Sequence, residues 1–114
     1  MAAVKAVLIV DDKTVLIDRV EDPLRWAKRV RPELKWFDSF PAECWDGKKP
    51  DAGFIVWVDD MGLFQGFPKN NLANAMISPL NPLVGPVLLT GLADEAGDLT
   101  DVPDFVLSSL NKAV

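Results

Sequence analysis

Two pairs of neighbouring carboxylates, Asp11-Asp12 and Asp59-Asp60, each sit at the end of an apolar run. At a strand end such a pair can coordinate magnesium or exchange protons with a substrate. The same residues are also turn formers. Asp59-Asp60-Met61-Gly62 has a hairpin turn's composition, with glycine available for a positive φ. Turn chemistry without a bound metal is the expectation at both pairs. Three amides, Asn70, Asn71 and Asn74, cluster behind Phe67-Pro68. An amide side chain both donates and accepts, so the trio suits helix capping and backbone bonding, with a polar-ligand pocket beside Gly85 as the alternative.

The lone cysteine, Cys44, lies in Pro-Ala-Glu-Cys-Trp-Asp. A nucleophilic thiol needs an imidazole or a cation to favour the thiolate. The chain contains no histidine, and Glu43 and Asp46 oppose the negative charge, so the thiol is expected to be non-catalytic. Without histidine, serine and cysteine triads and His-containing zinc sites are excluded. A single cysteine excludes an internal disulfide. Gly62, Gly66, Gly85 and Gly91 reproduce no phosphate-cradling pattern. No catalytic residue and no cofactor are therefore expected.

Binding chemistry is better represented. Arg19, Arg25, Lys28, Arg29, Arg31 and Lys35 form a basic stripe, interrupted by Glu21, Asp22 and Glu33, with Trp26 and Trp36 nearby. A phosphate-binding face with stacking aromatics is one reading. A solvated helix face with both tryptophans in the core is the expectation. Trp45 sits in a segment of loop composition, and aromatic anchors of that kind often dominate protein–protein interfaces. Packing against the core from outside is its equal alternative.

The 114 residues fit one domain, and 49% hydrophobic content is enough for a core. The net charge of −5 is unevenly spread. Residues 1–50 are nearly balanced at +1, whereas residues 51–114 carry only Lys69 and Lys112 against eight acids. That is a poor design for generic DNA binding, which works by neutralising phosphates. It suits a basic partner or solubility. The opening run stops at Asp11-Asp12, well short of the ~20 apolar residues of a membrane span. It reads as a strand and not a signal peptide, which leaves a cytoplasmic location as the expectation.

The elements that must hold these residues follow from the pattern. Residues 4–10 and 14–18 read as a hairpin around Asp11-Asp12-Lys13. Asp22-Pro23 starts a helix that Pro32 ends near Arg29 or Val30. Residues 34–38 read as a short strand and 39–53 as a surface loop. Residues 53–58, apolar throughout, predict the central strand, with 63–67 returning beside it as a hairpin. A short helix follows Pro68-Lys69-Asn70-Asn71. Residues 83–91 read as a strand bent at Gly85-Pro86. Residues 92–101 read as an acidic loop, and Phe105 to Leu110 as a final helix. The sum is an α+β domain of five or six mainly antiparallel strands with two or three short helices packed against the sheet.

The order of features over residues 54–91 resembles a family of small uncharacterised domains of actinobacteria, other Gram-positive bacteria and their phages. The features that carry the likeness are the strand Phe54 to Val58, the turn Asp59-Asp60-Met61-Gly62, the stretch Gly66-Phe67-Pro68-Lys69-Asn70, and Val84-Gly85-Pro86-Val87-Leu88-Leu89-Thr90-Gly91. Phe67 stands where that family usually has leucine, and Pro86 where it often has a polar residue. The resemblance implies no activity. It implies a setting, a small protein of a phage or mobile element. Together with the lack of a catalytic constellation, this predicts a non-enzymatic accessory protein that binds and modulates a host protein. The expected surface is Trp45 with the acids Asp94, Glu95, Asp98 and Asp101. The alternatives are a small-ligand or nucleotide-binding module built on Asn70, Asn71 and Asn74, and an acidic DNA mimic.

Overall fold

The computed structural model describes residues 3–113. Its framework is one antiparallel sheet of five strands: β1 (Val4–Ile9), β2 (Val15–Val20), β3 (Phe37–Pro41), β4 (Phe54–Asp59) and β5 (Val87–Gly91). Their spatial order is β2-β1-β5-β4-β3. β5, fully buried along its length, lies at the centre, and the strand expected there, β4, lies between it and the edge strand β3. The first two strands form the expected hairpin, in register from Val4 opposite Val20 to Ile9 opposite Val15.

Side-chain alternation divides the core in two. Val7, Ile9, Phe54, Val56, Val87 and Leu89 point to one face, where α2 (Asn71–Ile77) and α3 (Asp104–Ala113) pack through Ala73, Met76, Val106 and Leu110. Ala6, Leu8 and Leu88 point to the other, where α1 (Pro23–Val30) packs through Ala27 beside Leu34. The architecture is α+β, with helices on both faces of the sheet.

The helix boundaries follow from local chemistry. The Asp22 carboxylate accepts from the Arg25 amide, Pro23 occupies the first turn, and α1 ends at Val30 ahead of Pro32. Asn70 caps α2 by accepting from the Ala73 amide. That helix stops at Ser78, whose N–H donates the last helical bond to the Asn74 carbonyl and whose φ of 50° turns the following chain out of the helix.

Three expectations are corrected. Residues 63–67 form no strand, because β4 is paired on both sides, by β3 and β5. Residues 34–36 precede their strand, which begins at Phe37. The 39–53 stretch is not one surface loop, since its first residues belong to β3 and its middle forms a tight hairpin. In that hairpin Trp45 and Lys48 exchange backbone hydrogen bonds of 2.7 and 3.0 Å across Asp46 and Gly47, both at positive φ. Two successive positive-φ residues make a type I′ turn, for which Asp-Gly is a preferred pair.

Among the described residues no helix is long and apolar enough to cross a membrane.

Candidate functional site

The expected site residues are mostly consumed by the fold. Asp11 accepts from the amides of Lys13 and Thr14 and closes the β1–β2 turn. These bonds, the Lys13 amide first, hold its carboxyl below the ordinary aspartate range. Asp12 reaches across to α2, where it accepts from the Asn71 side chain at 2.9 Å and the Leu72 amide at 3.1 Å. An anion is favoured at a helix N-terminus, and the Asn71 bond leads in holding this carboxyl low as well.

Asn70 is buried, and its amide hydrogens and its oxygen bond within the protein. Its Nδ2 donates to the carbonyls of Ile9 (2.9 Å) and Gly85 (3.0 Å), while its Oδ1 caps α2. Asn74 likewise donates to Asn70 O and Leu83 O and accepts from the Leu83 amide. Asn71 is exposed, with its amide on Asp12. The three residues therefore stitch α2 to the start of β5 and to the β1–β2 turn. The capping and backbone bonding expected of these amides are present, and they reserve little for the alternative, a polar ligand beside Gly85. Gly85 belongs to the same device. At φ 73° its backbone leaves room for the Phe67 ring, which a Cβ would strike.

The exposed anchor expected at Trp45 is also corrected. The I′ turn directs this side chain inward, where it is 3% exposed and packs edge-on against Phe54 at 5.5 Å. The neighbouring Asp46 amide donates to the Met76 carbonyl, tying the turn to α2. Trp45 therefore shares no surface with the acidic loop. Within that loop Asp94 accepts from the amides of Ala96 and Asp98, and Asp101 accepts from the Lys5 amide. Asp94, Asp98 and Asp101 do line one shallow hollow together with Arg19, Glu21 and Asp22. Glu95 is exposed outside it.

The basic stripe is solvated along α1, where Arg25, Lys28 and Arg29 are exposed. Lys28 lies over the Phe37 ring at 5.6 Å, and Arg31 pairs with Glu33. Trp26 is partly buried, as expected, but Trp36 is 62% exposed.

The most distinctive surface lies elsewhere. Helices α2 and α3 leave the β3–β4 end of their face partly open, and a groove of about 530 Å³ forms there. Phe40, Val58, Ile77 and Leu83 contribute apolar lining, and Asp60, Leu63 and the residues 78–82 contribute from the adjoining loops. Beside it the chain exposes large apolar side chains: Leu63 at 76%, Phe64 at 86% and Leu80 at 99%. Carboxylates of Asp38, Glu43 and Asp60 complete the lining, which includes no lysine or arginine.

Asp59 organises this region. It is buried and accepts from the amides of Lys35 (3.0 Å) and Met61 (2.8 Å) and from Gln65 Nε2 (3.0 Å). Its carbonyl accepts from Gly62. One side chain thus ties the approach to β3 to the turn that carries Leu63 and Phe64. Burial would push the Asp59 carboxyl up, but the Lys35, Met61 and Gln65 donors outweigh it and hold the group low. The Asp59-Asp60 pair is turn chemistry of an extended kind. Among the described residues, no three His, Cys, Asp or Glu side chains gather closely enough to hold a metal ion.

Leu63, Phe64 and Leu80 are not among the expected site residues. The available signal was an apolar residue stranded among turn formers, as in Pro79-Leu80-Asn81-Pro82 and Gly62-Leu63-Phe64-Gln65-Gly66.

No curated protein and no solved structure matches the chain significantly. A family model described as a domain of unknown function (DUF3846) matches residues 41–114. The match takes in β4, α2, β5 and α3, and with them both loops of the groove. The chain belongs to this family, DUF3846.

Proposed function

We propose that the chain is a non-enzymatic accessory protein that binds and modulates another protein through the groove between β3 and the 60–66 and 78–84 loops. The observation that carries this reading is that Leu63 and Leu80, which both line one apolar groove, stand largely exposed, with Phe64 exposed next to Leu63 in the chain. Scattered exposed apolar residues are ordinary. Two large ones lining the same concave surface, with a third adjoining in the chain, are what a protein interface needs at its centre. A setting in a phage or mobile element, acting on a host protein in the cytoplasm, is part of the proposal and rests on the family resemblance alone.

The other surfaces support a partner less well. The acidic hollow at Asp94, Asp98 and Asp101 offers charge, but two of these carboxylates already hold backbone amides. DNA mimicry needs carboxylates in paired rows. Here one group of acids lines the hollow at Asp94 and another lines the groove, and the two share no residue.

Site-specific photo-crosslinking tests the reading. A benzophenone amino acid at position 64, in extract of the producing cell, should yield one discrete protein adduct. The same label at Ile17, exposed on the far edge strand, should not. Adduct loss on Leu63→Ser with Leu80→Ser would bind the result to this groove. No adduct at position 64, or identical adducts from both positions, defeats the proposal.

A further inference from the structure

Resting on that reading, we infer that the groove takes a cationic segment with apolar side chains, and that it holds this segment by side-chain contact without adding a strand to β3. Charge selects the occupant. Four carboxylates line the groove, those of Asp38, Glu43, Asp59 and Asp60, and no cation accompanies them. Three of the four are exposed, while Asp59 is buried with its oxygens occupied. An anionic segment would meet unscreened repulsion as water leaves the groove, whereas lysine or arginine beside apolar anchors would be complemented at every step.

The sheet edge decides the mode. The Ala42 amide donates to Phe54 O, so even-numbered positions of β3 face β4, and the backbone of Phe37, Ser39 and Pro41 faces outward. The outward Ser39 amide is taken by the Asp38 carboxylate at 2.9 Å, and Pro41 has no amide hydrogen. An incoming strand would have to displace Asp38 and would still find no donor at Pro41. The opposite edge carries the same device at one position. Lys5 N donates to Asp101 and not across to β2, so its cross-strand partner Arg19 faces outward, and the Arg19 amide is held by Asp18. Carboxylates turned onto edge amides are a recognised defence against edge pairing.

A second copy is the competing occupant, since the α1 face with Arg25, Lys28 and Arg29 is basic. The net charge of −5 on every copy opposes that assembly.

The test uses a short fluorescein-labelled peptide in which leucine and lysine alternate with serine, titrated into the full chain and followed by anisotropy and amide chemical shifts. Binding is expected, with shifts concentrated at residues 38–43, 60–64 and 78–84. Replacing the lysines by glutamate, or the leucines by serine, should weaken binding by at least about tenfold. Backbone N-methylation of the peptide should leave affinity within about twofold, because no ladder bonds are made. Asp38→Asn with Glu43→Gln and Asp60→Asn should weaken binding and flatten its salt dependence, while Glu95→Gln with Asp98→Asn should not. Asp38→Asn keeps an acceptor for Ser39, so the edge stays closed.

The inference is overturned if the lysine peptide fails to bind, if the glutamate peptide binds as well, or if methylation abolishes binding. It is overturned equally if sedimentation shows self-association that the triple variant removes. A crosslinked partner that contacts position 64 through an acidic segment would sink this inference and leave the protein-binding reading standing. The absence of any adduct at position 64 would remove the reading itself.

Discussion

Replacing Asn70 with alanine separates a structural amide from a ligand-binding one. The side chain makes three hydrogen bonds inside the protein, two donated to the main-chain carbonyls of Ile9 in β1 and of Gly85 ahead of β5, and one accepted from the first turn of α2. Losing the cap costs about 1 kcal/mol. Each buried carbonyl left without its donor adds about 1 kcal/mol at the low end of the usual range. The total of about 3 kcal/mol is a large fraction of the 5–15 kcal/mol that typically separates folded from unfolded chains. Urea denaturation followed by tryptophan fluorescence should therefore show a clear fall in midpoint at unchanged slope. Asn71→Ala, which removes one exposed bond to Asp12, should cost no more than about 0.5 kcal/mol. If Asn70→Ala proves as stable as the unaltered protein, the amide is not bonded as described, and the ligand-pocket reading regains its ground.

Four further outcomes follow from the same geometry. Trp45→Ala should destabilise the fold by about 3–5 kcal/mol, because it empties a buried site against Phe54, and a merely weakened partner at full stability would contradict this. Gly85→Ala should cost at least about 1 kcal/mol in denaturation, since the residue sits at φ 73° with the Phe67 ring where the Cβ would go. Ser78→Gly should stabilise by up to about 1 kcal/mol, because serine occupies the left-handed region that closes α2. Asp59 has a folded-state pKa below its unfolded one, so its stabilising contribution is complete above the unfolded pKa and is lost as pH falls through the folded pKa. Stability measured from pH 7 downward should drop in that acid window, and Asp59→Asn should be less stable at neutrality with a flatter acid limb.

Much of this fold is legible where chemistry is local. Asp22-Pro23 marks the start of α1, and Pro32 its approaching end. The Asp11 turn and the capping by Asn70 follow from the hydrogen-bonding habits of those residues. What is not legible depends on partners distant in the chain. Residues 63–67 have strand-like composition, but both edges of β4 are already taken by β3 and by β5, and the pairing with β5 spans some thirty residues of sequence. The position of Trp45 was encoded nearby, in Asp46-Gly47, whose I′ turn faces the indole inward. The carboxylates of the groove come from Asp38, Glu43 and Asp60, and only tertiary structure brings them together. The common sign of Asp38 and Glu43 could not be read as a site from the even charge balance of the N-terminal half.

The central claim is that Leu63 and Leu80 are exposed because a partner covers them. The direct measurement is the affinity of the crosslinked partner for the unaltered chain and for Leu63→Ser with Leu80→Ser, alongside the stability of both. The account predicts a loss of at least about tenfold, more than 1 kcal/mol, with the denaturation midpoint unchanged. An affinity that does not move would place the partner on another surface and contradict it.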